Sequence, residues 1–340
     1  MLTARKRQRL RDGIVIPAHA LALHADGSFD GDRQRGLTDY YLGHAGAGGV
    51  AVGVHTTQFE IRDPHVGLYE PVLRMAAEQA RAHDDAVLVA GVLGPTDRAV
   101  REAELAASVG YDVALVAMAG WKDAPEGEIL AGVAAVAAVM PVFGFYMQST
   151  LTGRRFGYDF WRRYAEIPGV VGIKIAPFDR YDTIDVVRAV VDAGRSTPQG
   201  REDDIALYTG NDDNIVFDLL TPFRFGDATV HIVGGLLGQW AVWTPAAVEL
   251  HRRIRSLVTA GADVPLDLLR LGADLTAANA AVFDPGNAFA GSIAGVNEAL
   301  ARSGLLAGNR CLSDAERLSP GQADEVTRVM ELYPDICRTW

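Results

Sequence analysis

Lys174 is the residue in this chain with the most chemistry to offer. It is the one ionisable group in the apolar run Val-Val-Gly-Ile-Lys-Ile-Ala from Val170 to Ala176, which Pro177 closes. A short, β-branched run stopped by proline reads as a strand buried on both faces, the kind that parallel sheets use. Strand alternation puts Val170, Gly172 and Lys174 on one side and Val171, Ile173 and Ile175 on the other. An ammonium removed from water loses part of its preference for the charged form, which leaves a lone pair on nitrogen at neutral pH. Such an amine attacks a carbonyl carbon and forms a Schiff base. The same text also fits a lysine at a strand end whose stem carries its charge out to solvent or to a carboxylate. Tyr146 closes an earlier apolar run, and a phenol beside the amine supplies the proton exchange that a carbinolamine needs. A rim aromatic that fills the top of the fold is the plainer reading of Tyr146.

The elements that would position these residues alternate along the chain. Strand-like runs cover 14–17, 48–54, 86–92, 113–118, 142–146, 170–175, 205–209 and 229–233, and helical patterns lie between them. Eight strands alternating with helices are what an α/β fold of the eight-stranded β/α (TIM) barrel type requires. A doubly wound sheet also alternates, but the glycine fingerprint expected after its first strand is replaced by Pro17-Ala18-His19-Ala20. Past about Pro245 the strands stop and four helical stretches follow. The expected organisation is a leader at 1–12, a barrel at 13–244 and a C-terminal helical region at 245–340. In such a barrel the chemistry sits where strands end. That nominates His55, Thr56 and Thr57 after strand two, Trp121 after strand four, Tyr146 and Gln148 at strand five, Lys174 on strand six, Gly210 after strand seven and Gly234 after strand eight.

Bulk properties narrow the function. The 340 residues carry a formal net charge of −11 and are 49% hydrophobic, with a pI near 5.2. That balance argues against nucleic acid or an anionic membrane as partner and fits an acidic enzyme with a small-molecule substrate. The basic run Arg5, Lys6, Arg7, Arg9 and Arg11 is not followed by an apolar stretch and reads as a solvated leader. No window reaches the length of a membrane span. The two cysteines, Cys311 and Cys337, lack metal-ligand spacing and suggest no disulfide framework, so a reducing cytoplasm is the expected compartment.

Three stretches carry a resemblance. Tyr146-Met147-Gln148-Ser149-Thr150-Leu151-Thr152-Gly153 is similar to the Tyr-x-x-Pro-x-x-Thr-Gly segment of the dihydrodipicolinate synthase and N-acetylneuraminate lyase family. Val170-Val171-Gly172-Ile173-Lys174 is similar to that family's lysine strand, and 28 residues separate Tyr146 from Lys174, as in the family. Gly210-Asn211-Asp212 stands where the family has Gly-Asp-Asp. The chain thus resembles a divergent class I, Schiff-base-forming aldolase over roughly residues 13–241. The resemblance implies that Lys174 forms the imine and that Tyr146 shuttles protons. It implies that Thr56 and Thr57 hold the carboxylate of a 2-oxo acid such as pyruvate, with an aldehyde as a further partner. The covalent imine needs neither metal nor other cofactor, and family members are commonly homodimers or homotetramers.

The departures are informative. Leu151 replaces the arginine that clamps a second carboxylate, Trp121 replaces an interface tyrosine, and Gln58 and Phe59 replace a glycine and a glutamate. Lysine biosynthesis is therefore not expected. Keto-deoxy sugar acid dehydration and aromatic hydratase-aldolase chemistry use the same imine, and Trp121, Phe59, Met147 and Trp240 would wall an apolar pocket for the latter. A phosphate cup at Gly210 and Gly234-Gly235, a metal-dependent aldolase using His55, and a catalytically silent binding paralogue complete the set of readings.

Overall fold

A computed structural model describes residues 2–197 and 200–339; the side chains of Thr150 and Leu151 lie outside the described residues, and with them the lost-arginine reading. The main sheet is formed by β1 (Val15–Pro17), β2 (Gly49–Val52), β3 (Val87–Leu93), β4 (Val113–Ala117), β5 (Val142–Met147), β6 (Val170–Ala176), β7 (Ala206–Thr209) and, after a hairpin of β8 (Phe223–Phe225) and β9 (Ala228–Val230), β10 (Gly234–Leu237). Its order is β1-β10-β7-β6-β5-β4-β3-β2. This is the eight-stranded β/α barrel: every central strand is wholly buried, as parallel strands covered by helices must be.

Contacts divide the chain into two compact units, residues 1–14 with 87–236 and residues 15–86 with 237–340. In the first, β3 to β7 alternate with helices Thr96–Val109, Glu126–Ala137, Tyr158–Ala165 and Arg180–Asp192. Gly110, left-handed at φ 100°, ends the first of these, a position where glycine carries no steric cost. Asp179 caps the last by accepting the Asp182 N–H at 2.9 Å. In the second unit β1 and β2 join through an Ala18–Ala51 parallel bridge. The helices Thr244–Ala260, Leu266–Phe283, Ser292–Arg302 and Gln322–Leu332 follow in its C-terminal part.

Two expectations are corrected. The basic N-terminus is not a solvated leader: Ala4–Asp12 is a helix capped by Thr3. Its Leu10 is buried, its Lys6 pairs with Asp112 at 2.7 Å, and the Leu10 carbonyl accepts the Tyr208 hydroxyl at 2.9 Å. The eighth barrel strand is not 229–233, part of which belongs to the hairpin, but Gly234–Leu237. Two glycines conceal a strand from propensity reasoning, yet here they permit close approach: a Cβ on Gly234 would fall 2.5 Å from the Ile14 carbonyl oxygen and 2.7 Å from the Tyr208 ring.

Candidate active site

The site in the first unit follows from the pairing of β5 with β6. Val142 pairs with Val170, but the next pair is Phe143 with Gly172, so β6 spends one residue more than β5 at a bulge. From there Phe145 stands opposite Lys174 and Tyr146 opposite Ile175. Because side chains alternate, a slip of one residue exchanges the faces of everything beyond it. Phe143, Phe145 and Met147 therefore share the Lys174 face, and Gly144 and Tyr146 take the other. The outer face is identified by its neighbours: a Cβ on Gly144 would meet the Tyr164 ring at 2.8 Å, and the Tyr146 ring packs 5.0 Å from Trp161, both in helix Tyr158–Ala165. Lys174 and Phe145 face the barrel interior.

Lys174 is 8% exposed, and its Nζ lies 4.0 Å from the centroid of the Phe145 ring. Burial pushes the ammonium from its ordinary 10.5 down to about 8, against the opposing pull of the Asp212 carboxylate. Below it Phe143 and Tyr208 fill the barrel, ring centroids 5.3 Å apart, with the Tyr208 hydroxyl accepting from the Ile14 N–H at 3.2 Å. Gly172 admits this packing, since a Cβ there would lie 2.0 Å from Phe143. Gly210 admits the lysine: a Cβ on it would fall 2.6 Å from Lys174 Cε.

The turn after β7 is held by a buried carboxylate. Asp218 accepts from the Thr209 hydroxyl at 2.6 Å, the Asn211 amide at 2.9 Å and the Asn214 amide at 3.0 Å, and pairs with Arg180 at 2.6 Å. The Asn211 side-chain oxygen accepts the N–H of Phe178 at 3.1 Å. Phe178 adopts φ 52°, a strained value for a non-glycine residue. These bonds fix the two loops that flank Lys174 and so fix the segment that carries Asp212.

The other nominated residues fall elsewhere. The Tyr146 hydroxyl does not meet Lys174: it donates to Asp182 at 2.9 Å and accepts the Phe156 N–H at 3.3 Å. Arg155 grips the same carboxylate, its Nε 2.8 Å from both oxygens. Burial and then the Asp182 hydrogen bond raise the phenol well above its ordinary value. Trp121 is 2% exposed. Its indole lies in a slot where Cβ atoms on Gly94 and Gly132 would come within 2.4 and 2.7 Å of it, so it packs against its neighbours instead of walling a pocket. Gln148 is buried directly after β5. Gly210 and Gly234 form no phosphate cup: the Gly210 N–H is given to the Ile175 carbonyl at 2.7 Å, and Gly234 lies within β10.

In the second unit Thr56 and Thr57 turn inward. The Thr56 hydroxyl donates to the Ala18 carbonyl at 2.8 Å and that of Thr57 to the His19 carbonyl at 2.7 Å, while the Thr57 N–H goes to Val54. They stitch the loop after β2 to the end of β1. His55, in the same turn, packs against Phe59 with the rings tilted at 52° and their centroids 5.7 Å apart. Trp240 is core, edge-on to His251 at 6.1 Å. Residue types and spacing did not single out Phe145 or Asp182, and Asp212 entered only within the Gly210-Asn211-Asp212 match, without a role; Phe145 stands one position from a nominated residue, and only the bulge promotes it. Among the described residues no three His, Cys, Asp or Glu side chains gather as a metal site. Nor is any helix among them long and apolar enough to cross a membrane.

Fold and site together define a class: a β/α barrel with a buried, low-pKa lysine on its sixth strand. The chain shares this fold with several solved structures. CdNal from Clostridium difficile, solved in complex with mannosamine, superposes with a TM-score of 0.74 at 13% identity, covering 94% of this chain and 99% of its own. Dihydrodipicolinate synthase from Oceanobacillus iheyensis gives 0.73 at 16%, covering 98% and 99%, and that from Aquifex aeolicus 0.74 at 16%, covering 96% and 99%. No protein-family model and no curated protein matches the chain.

Proposed function

We propose that this chain is a divergent relative of the dihydrodipicolinate synthases and N-acetylneuraminate lyases, a Schiff-base lyase that makes or breaks a C–C bond of pyruvate or a related 2-oxo acid through Lys174. The observation that carries the reading is a lysine enclosed on the inner face of β6 and brought to about 8 by burial. At neutral pH about one amine in ten is then uncharged, against fewer than one in a thousand for an ordinary lysine. The nitrogen attacks the 2-oxo carbon, the carbonyl electron pair moves to oxygen, and the resulting hydroxyl leaves as water once protonated. The iminium then draws electrons from the adjacent carbon, where the C–C bond is cleaved or formed. Asp212, whose charge acts on Lys174, is the acid and base we assign to these proton transfers. Tyr146 enters as a positioning residue that anchors the end of β5 through Asp182. The resemblance further supports a homo-oligomeric, cytoplasmic enzyme that needs no metal.

Borohydride reduction in the presence of a panel of 2-oxo acids, read by mass spectrometry, tests the reading. A covalent increment on Lys174 with at least one acid, absent in Lys174→Ala, is expected; no increment with any of them overturns it. The commitment of the Tyr146 hydroxyl to Asp182 favours one second reading, a paralogue that binds 2-oxo acids without turning them over. That protein would give the adduct but no release of products from a 4-substituted 2-oxo acid.

A further inference from the structure

We propose that Phe145 is a catalytic residue, its ring face being the surface on which the imine nitrogen of Lys174 carries its positive charge; the proposal rests on the imine reading above. The bulge at Val142 and Phe143 turns Phe145 onto the lysine. The ring is 5% exposed and its centroid lies 4.0 Å from Nζ, well within the roughly 6 Å over which an aromatic face attracts a cation. The opposing charge that acts on Lys174 is the Asp212 carboxylate in the turn after β7; the residues paired alongside on the neighbouring strands do not compete for the cation. Ala117 on β4 is paired with Phe145 and offers only a methyl group. Tyr208 on β7 is paired with Lys174, but its hydroxyl is engaged with Ile14 and Leu10.

The amine that attacks is neutral and the nitrogen that results is a cation. Carbinolamine formation makes the C–N bond and moves a proton from nitrogen to the former carbonyl oxygen. Uptake of one further proton lets that oxygen leave as water, while the nitrogen lone pair forms the C=N bond. The quadrupole of an aromatic face favours the charged product over the neutral reactant. It does so without a hydrogen-bond donor or acceptor that would hold water near the imine and hasten its hydrolysis. Phe145 thus acts on the equilibrium between free amine and iminium, which remains distinct from proton transfer.

The test compares Phe145→Leu, which keeps apolar bulk but removes the aromatic face, with Phe145→Tyr, which keeps the face. With pyruvate below saturation and the pH held about one to two units above the trapping inflection, where the resting amine is already neutral, trapped adduct in Phe145→Leu falls roughly ten-fold and in Phe145→Tyr stays within about two-fold. Half-saturation for trapping rises in Phe145→Leu, and the pH inflection of trapping moves below the wild-type position, because the ammonium loses the same face. Should Phe145→Leu not fold, Phe145→Met is read the same way. An unchanged yield, or an inflection that moves upward as it would if water merely entered, overturns the proposal while leaving the imine reading intact. A wild-type protein that traps no 2-oxo acid removes both, and that control is run first.

Discussion

Tyr146 gives its hydroxyl hydrogen to a carboxylate that Arg155 already holds from the other side. Removing the hydroxyl leaves Asp182 with its guanidinium, so Tyr146→Phe loses one charge-assisted hydrogen bond and takes the acceptor from the Phe156 N–H. We expect a stability loss of about 1–2 kcal/mol in urea unfolding, and trapping of pyruvate on Lys174 within about two-fold of wild type. A trapping rate lowered a hundred-fold with stability unchanged would return the phenol to the chemistry. At this scale the lysine was legible in the sequence, because an isolated cation in an apolar β-branched run has few structural uses. The phenol's direction was not. Its 28-residue interval to Lys174 places it opposite the amine only if β5 and β6 pair without interruption. The interruption lies between Val142 and Phe143, where neither residue type announces a bulge. Asp182 was hidden for a related reason: a carboxylate in the first turn of a helix reads as capping chemistry, and its reach to β5 depends on tertiary packing.

The turn that follows β7 decides whether Lys174 fits. A methyl group on Gly210 would lie 2.6 Å from Lys174 Cε and 2.8 Å from Ala176 Cβ, and since the backbone at Gly210 is not left-handed, alanine strains nothing but these contacts. Gly210→Ala is expected to cost about 1–3 kcal/mol through overpacking and to lower adduct yield at least ten-fold, as the flexible lysine stem yields before the strand does. Unchanged yield in a folded Gly210→Ala would show that the stem has another course. Seven of the strands were legible to within a few residues, since continuous apolar runs separated by helical periodicity have few other meanings. The last was misplaced because the hairpin Phe223–Val230 offers better strand formers than Gly234-Gly235 does. The N-terminal helix was missed because its charge pattern outweighed the single apolar anchor, Leu10.

Across the whole molecule two buried bases pull stability in the same direction at different pH. In the second unit His19 is enclosed, its ring edge-on to Tyr41 at 5.0 Å and bonded to Thr38 at 2.8 Å, and burial pushes it from 6.5 down to about 4. The unfolded chain therefore binds more protons than the folded one between those values, so stability is full above pH 6.5 and falls by about 3 kcal/mol on the way to pH 4. Lys174 obeys the same rule in its own window. Its ammonium is disfavoured in the fold, so stability rises again between pH 8 and 10.5, by about 3 kcal/mol. Above pH 10 the trend reverses, because Tyr40, Tyr41, Tyr146 and Tyr164 are all raised by burial and unfolding is then favoured by their ionisation. Thermal unfolding followed from pH 4 to 11 checks the assignment variant by variant. His19→Asn lowers stability at pH 7 through its lost hydrogen bonds but flattens the acid limb. Lys174→Met raises stability at pH 7, and its advantage shrinks towards pH 10.5. Curves for both variants that run parallel to wild type would mean that neither base titrates where the fold holds it, and the low-pKa amine on which the chemistry depends would be lost with them.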